Sequence, residues 1–158
     1  MLILTRVVLD FPTKIIIQKD SATVNIRSAY LGYIAKIFTL SGDSATAKQA
    51  AASVMKIENA LAMASKTPVE LRDPEANYHK ISIAELEKQA PNLSWSELLD
   101  QLGVKQDTVL MGQPGFYTAL SGLLQSASVS DWKNYLRFHF IDNYVLISIV
   151  VLLMQILK

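Results

Sequence analysis

The chain has 158 residues, 51% of them apolar, and a net charge of +1 with both signs dispersed. That is enough for one domain around one core, which excludes a disordered chain, and the charge balance gives no electrostatic basis for a nucleic-acid or acidic-membrane partner. There is no cysteine, so disulfides, thiolate metal sites and cysteine catalysis are excluded.

The opening residues, MLILTRVVLD, do not read as a secretory signal. The apolar run is short, the first charge comes after it, and no small-residue cleavage site follows. From Ser21 to Leu40 the residues Val24, Tyr30, Tyr33, Ile34, Ile37 and Phe38 recur at spacings of three and four, which predicts a helix stopped at Gly42. Ser44 to Ser65 is rich in good helix formers, with an apolar stripe of Ala47, Ala51, Val54, Ile57, Leu61 and Ala64. The two helices form an antiparallel hairpin across Ser41-Gly42-Asp43.

Pro68 and Pro74 then break the periodicity, so Thr67 to Lys80 reads as a loop or a single turn. Ser82-Ile83-Ala84-Glu85 and Ser94-Trp95-Ser96-Glu97 both have capping-box spacing. They open short helices, Ile83 to Ala90 and Trp95 to Leu102, separated by Pro91. Val109-Leu110-Met111 suits a short extended piece, and Phe116 to Gln125 and Asp131 to Asn143 are the last predicted helices. Trp95, Leu98, Leu99 and Leu102 read as core, as do Phe116, Tyr117, Leu120, Leu123 and Leu124. Trp132, Tyr135 and Phe138, extended by Leu136 and Phe140, form a further core-facing stripe rather than a binding platform. Val145 to Leu157 carries no charge but is shorter than the roughly 20 apolar residues of a membrane span. The fold class expected is all-α.

The chemistry is thin. No H-E-x-x-H occurs, and the only histidines are His79 and His139, neither with an acidic helix partner at ligand spacing. Catalytic zinc needs three protein ligands and an open position for water. No phosphate-binding or dinucleotide glycine motif and no G-x-S-x-G is present. The expectation is no catalytic, cofactor or metal residue in this chain. Arg72 has two readings. In one, Arg72-Asp73-Pro74 is a turn starter with Arg72 paired to Asp73 or Glu75 on a solvated surface. In the other, Arg72 faces a substrate chamber and meets a peptide carboxylate.

Arg72-Asp73-Pro74-Glu75-Ala76-Asn77-Tyr78, followed by Trp132-Lys133-Asn134-Tyr135-Leu136-Arg137, resembles the R-D-P-x-x-x-Y and W-K-x-Y-L-R segments of the neprilysin-like zinc metallopeptidases. Ile26-Arg27-Ser28-Ala29-Tyr30, Lys56-Ile57-Glu58-Asn59-Ala60-Leu61-Ala62 and Asn92-Leu93-Ser94-Trp95 are similar to further segments of that family, in the same order. The likeness runs from about Ser21 to Tyr144 and falls in the family's N-terminal, non-catalytic helical domain. It implies a truncated helical cap that encloses the chamber of a zinc endopeptidase, restricting substrates to peptides. Zinc, the catalytic domain and the peptide substrate would belong to the parent enzyme, itself periplasmic or extracellular. Nucleic acid and membrane are not expected partners.

Both ends depart from the family pattern. Val7 to Ile17 reads VVLDFPTKIII; taken one base earlier, the same codons permit G-G-S-G-L-P-D-K-D-Y-Y, which contains the family's G-L-P-D-[KR]-D-Y-Y. The residues from Val145 onward, shifted in the same way, permit P-Y-L-[DN]-S-S-F-V-D-A-N-F-E, which resembles the family's continuation. The expected division is therefore a frame-shifted leader at 1–17, a partial peptidase N-terminal domain at 18–144, and a frame-shifted apolar tail at 145–158. Two other readings stay open: a non-enzymatic helical interaction module, and a small tail-anchored membrane protein.

Overall fold

The structure is a computed structural model that describes the backbone of residues 2–4 and 21–156 and the side chains of residues 22–144. The side chains of the leader and tail segments, and the backbone of residues 1, 5–20, 157 and 158, lie outside the described residues. The chain divides into two compact units, one of Met1–Gln18 with Glu58–Ala127, the other of Lys19–Ile57 with Ser128–Lys158.

The second of these is helical. α1 (Ser21–Leu40) is followed by α2 (Ala47–Met63), whose first part belongs here, and by α6 (Val129–Ile156). α1 ends where expected because Gly42 takes φ +100°, a conformation that costs glycine little. The chain then folds back so that the Asp43 N–H reaches the Phe38 carbonyl at 3.0 Å. Ile34 and Phe38, the α2 residues Ala47, Ala50, Ala51 and Val54, and Phe138 of α6 make one buried cluster. The small α2 side chains leave room for the Phe38 and Phe138 rings. Tyr30 and Tyr33 meet Phe138 edge-on, with ring centres at 6.1 and 6.2 Å. Only part of the predicted stripes is inside. Val24 and Tyr33 are largely exposed, and so are Leu136 and Phe140, which do not extend the core stripe. The last helix also continues past Asn143 to Ile156.

The other unit adds a small sheet to the helical architecture. Its order is β1-β3-β2, with β1 (Leu2–Leu4) parallel to β3 (Thr108–Met111) and β2 (His79–Ser82) antiparallel to it. The extended piece expected at Val109 is the central strand, and Val109 and Met111 point into the core. β2 was not expected: His79 and Lys80, read as the end of a loop, pair with Met111 and Leu110. Isolated tetrapeptide strands carry too little alternation to announce themselves; the partner strand makes them.

α3 (Ile83–Gln89), α4 (Trp95–Gln101) and α5 (Pro114–Ser126) complete this unit. Leu86, Trp95, Leu99, Phe116 and Tyr117 are buried, with Trp95 and Tyr117 edge-to-face at 5.5 Å. Leu98 and Leu102 are not in this core. Ser82 caps α3 as predicted, accepting from the Glu85 N–H at 3.2 Å. The second capping box does not form. Ser94 sits at φ 44°, ψ 56°, so its side chain cannot reach the third helical N–H. Glu87 of α3 serves instead, accepting from the Ser96 N–H at 3.2 Å and from its hydroxyl.

Candidate functional site

The segment that carries the R-D-P-x-x-x-Y likeness has its geometry set by side chains that bond back to the loop. Asp73 starts the turn: its Oδ1 accepts the N–H groups of Glu75 and Ala76, each at 3.0 Å. Asn77 closes it, donating its carboxamide to the carbonyls of Glu70 at 2.8 Å and Asp73 at 2.6 Å. Lys66 Nζ donates to Asn77 Oδ1 at 2.7 Å, and the Lys66 N–H donates to the buried Gln113 side chain at 2.8 Å. Glu70 Oε2 accepts the hydroxyl and the N–H of Thr67, both at 2.7 Å. Those bonds, the hydroxyl's first, hold the Glu70 carboxyl below its ordinary value.

Arg72 ends the short 3-10 turn Glu70–Arg72 and is exposed. Its expected partner Asp73 is taken up by backbone N–H groups, and Arg72 makes no salt bridge among the described residues. The turn therefore holds without the arginine, and its guanidinium is presented to solvent with its forked donors available.

The histidines have local roles. His79 lies on β2 with Nδ1 3.2 Å from the Met111 carbonyl. His139 lies on α6 against the Tyr135 ring, centres 4.4 Å apart. Among the described residues no three His, Asp or Glu side chains come together as a metal-binding group. A polar groove of about 310 Å³ runs between the starts of α2 and α6, lined by Thr46, Gln49, Ser53, Ser128, Asp131 and Asn134. Asp131 is held at about 2 there, by the Ser53 hydroxyl first and then by Lys56, 3.0 Å away. Its carboxylate is thus already engaged by the protein.

The N-x-x-W segment has a reason no sequence could display. Asn92 donates its N–H to Ser121 Oγ and its carboxamide to the Ser121 carbonyl, both at 3.0 Å, and the Trp95 indole donates to the Ala90 carbonyl at 3.0 Å. Glu58, fully buried on α2, was also missed; an acidic residue in a mostly apolar helical stretch was the available signal.

The model of the N-terminal part of peptidase family M13 matches residues 1–149. The chain belongs to peptidase family M13. Endothelin-converting enzyme-like 1 of Rattus norvegicus is 25% identical over 126 residues, 76% of this chain but 16% of the rat protein. The human protein of the same name is likewise 25% identical over 126 residues. Among solved structures, the zinc metalloprotease Zmp1 of Mycobacterium tuberculosis in its open state superposes with a TM-score of 0.71 at 26% identity, over 78% of this chain and 20% of Zmp1. The inhibitor complex of Zmp1 gives 0.75 at 24% identity, over 88% and 22%. This M13 chain thus corresponds to about a sixth of its curated relatives' length and about a fifth of the solved ones. The family's helical N-terminal fold is what the structure shows. No helix among the described residues is long and apolar enough to cross a membrane.

Proposed function

We propose that this chain serves as part of the lid of a zinc endopeptidase, closing over the chamber in which peptides are cut, while zinc and the reacting groups come from the rest of an M13 polypeptide. The family match over residues 1–149 carries this reading. The sequence inventory agrees with it: hydrolysis on zinc needs a set of protein ligands and a base for the water, and this chain has two histidines and no H-E-x-x-H. Peptide substrates, zinc and a location outside the cytoplasm belong, on this reading, to the whole enzyme. Arg72, which makes no salt bridge among the described residues and is held on a closed loop, is the residue we assign to a peptide carboxylate in the chamber. We also hold residues 1–17 and 145–158 to be out-of-frame translation flanking a peptidase segment at 18–144. The nucleotide sequence checks this: family sequence must be readable in the neighbouring frame on both sides.

For the lid reading the test is direct. Calorimetric titration of the purified chain with zinc is expected to show no stoichiometric site, and a fluorogenic peptide is expected to stay intact. One tight zinc per chain, or chelator-sensitive turnover lost in His79→Ala or His139→Ala, would overturn it.

A further inference from the structure

Helix α6 has one fully buried side chain among its described residues, Phe138, with Tyr135 packed beside it, so little apolar surface seats it. Polar ties hold it on either side of that ring. Asp131 pairs with Lys56 of α2 at 3.0 Å. Asp142 accepts the Tyr33 hydroxyl of α1. Arg137 donates to Asp43 in the turn between those helices, with its other terminal nitrogen 3.4 Å from the Ser41 carbonyl and hydroxyl. At about 100° per residue Asp131, Phe138 and Asp142 share one face of α6, and Arg137 reaches out from its flank. Each tie contains a carboxylate, and none is left over. Across residues 21–57 and 128–144 the only acidic residues are Asp43, Asp131 and Asp142. The other charges on the packed elements are positive: Arg27 and Lys36 on α1, Lys48 and Lys56 on α2, Lys133 and Arg137 on α6, joined by His139 once it protonates. Beyond this unit α2 continues with the buried Glu58.

We propose that these three carboxylates form an acid-released latch, whose protonation frees α6 from α1 and α2 while the sheet-bearing unit stays folded. The proposal does not depend on the lid reading. Two effects act together. An exposed pair alone contributes little, and Lys56 is 61% exposed. Acid, however, weakens three ties at once. It also leaves residues 21–57 and 128–144 with no anionic side chain against their cations, so repulsion grows as the hold weakens. The Tyr33 hydroxyl can still donate to a neutral carboxyl, so that tie weakens without vanishing. The sheet-bearing unit is held differently. β2 and β3 pair through their backbones, and Leu86, Trp95, Leu99 and Met111 are buried. Neither backbone pairing nor apolar burial titrates. The Asp131 tie gives way last. The Ser53 hydroxyl first, and then Lys56, hold its carboxyl at about 2, so its contribution, present above 3.8, is lost as the pH falls towards 2.

The experiment is hydrogen exchange read by mass spectrometry on the full chain from about pH 7 down to about pH 2, each segment referred to an unstructured peptide at the same pH. A second arm places Asp43→Asn/Asp131→Asn/Asp142→Asn together in one variant, measured only at about pH 7, where the other carboxylates keep their charge. In acid, protection of residues 131–142 and 33–38 is expected to fall at least about tenfold further than that of α3 and α5, and the variant is expected to show the same contrast at neutral pH. Equal loss in both units, in acid or in the variant, would mean a single cooperative fold and overturns the latch. Protection of α6 that persists to the lowest pH overturns it, as does a variant whose α6 is protected at neutral pH like the wild type.

Discussion

Asn92 shows what one side chain does for the fold. Its backbone N–H and its carboxamide both go to Ser121, which is buried on α5 and 29 residues away. Asn92→Ala removes the carboxamide's bonds to the Ser121 carbonyl and hydroxyl, and a hydrogen bond of this kind contributes about 0.5–1.5 kcal/mol. A urea midpoint lowered by that amount is expected, and Asn92→Asp should not rescue it because a carboxylate cannot donate. An unchanged midpoint for the alanine variant would show that the contact is dispensable. The motif was legible in the sequence and its cause was not, since nothing near Asn92 marks Ser121 as the partner. Arg72 teaches the converse. Asp73 and Glu75 beside it suggested an ion pair, but the N–H groups of Glu75 and Ala76 claim the Asp73 carboxylate. Local charge spacing cannot foresee that competition.

Among the elements, the helices were legible because each long one carries its own period and stop. The Gly42 stop of α1 and the Ser82 cap of α3 are local chemistry. Which face is covered depends on neighbours, and there the reading of Leu98, Leu102 and Leu136 failed. The ties that seat α6 give a test by pH. Asp131 is held at about 2, below its ordinary 3.8, by hydrogen bonds from Ser53 and then Lys56. A depressed carboxyl contributes stability above its ordinary value and loses it as the pH falls through 3.8 towards 2. Lys56 is 61% exposed, so the pair is screened and worth at most about 1 kcal/mol. Asp131→Asn should flatten the acid limb of the urea midpoint by that much at low salt. Tyr33 is pushed up to about 12, chiefly by its hydrogen bond to Asp142 and then by burial. Its contribution is complete below the ordinary 10.0 and lost as the pH rises through 12. The difference between wild type and Tyr33→Phe should therefore shrink in strong alkali; a constant difference would mean the hydroxyl is not held by the carboxylate.

On the scale of the whole molecule, the helical unit is discontinuous in sequence and the sheet-bearing unit takes residues 58–127 from between its halves. Asp43 reaches Arg137 across 94 residues, and Tyr33 reaches Asp142 across 109. A ribosome releasing this chain from its N-terminus delivers α1 and the start of α2 long before α6 exists. During that interval Ile34 and Phe38 have no Phe138 to meet. The stretch 58–127 arrives unbroken and can condense first. Contacts far apart in sequence close slowly, because the loop entropy falls due before the contacts repay it. Pulse-labelled hydrogen exchange during refolding should find amides of α3 and α4 protected before those of α1. The reverse order would mean that α1 is held by something other than α6.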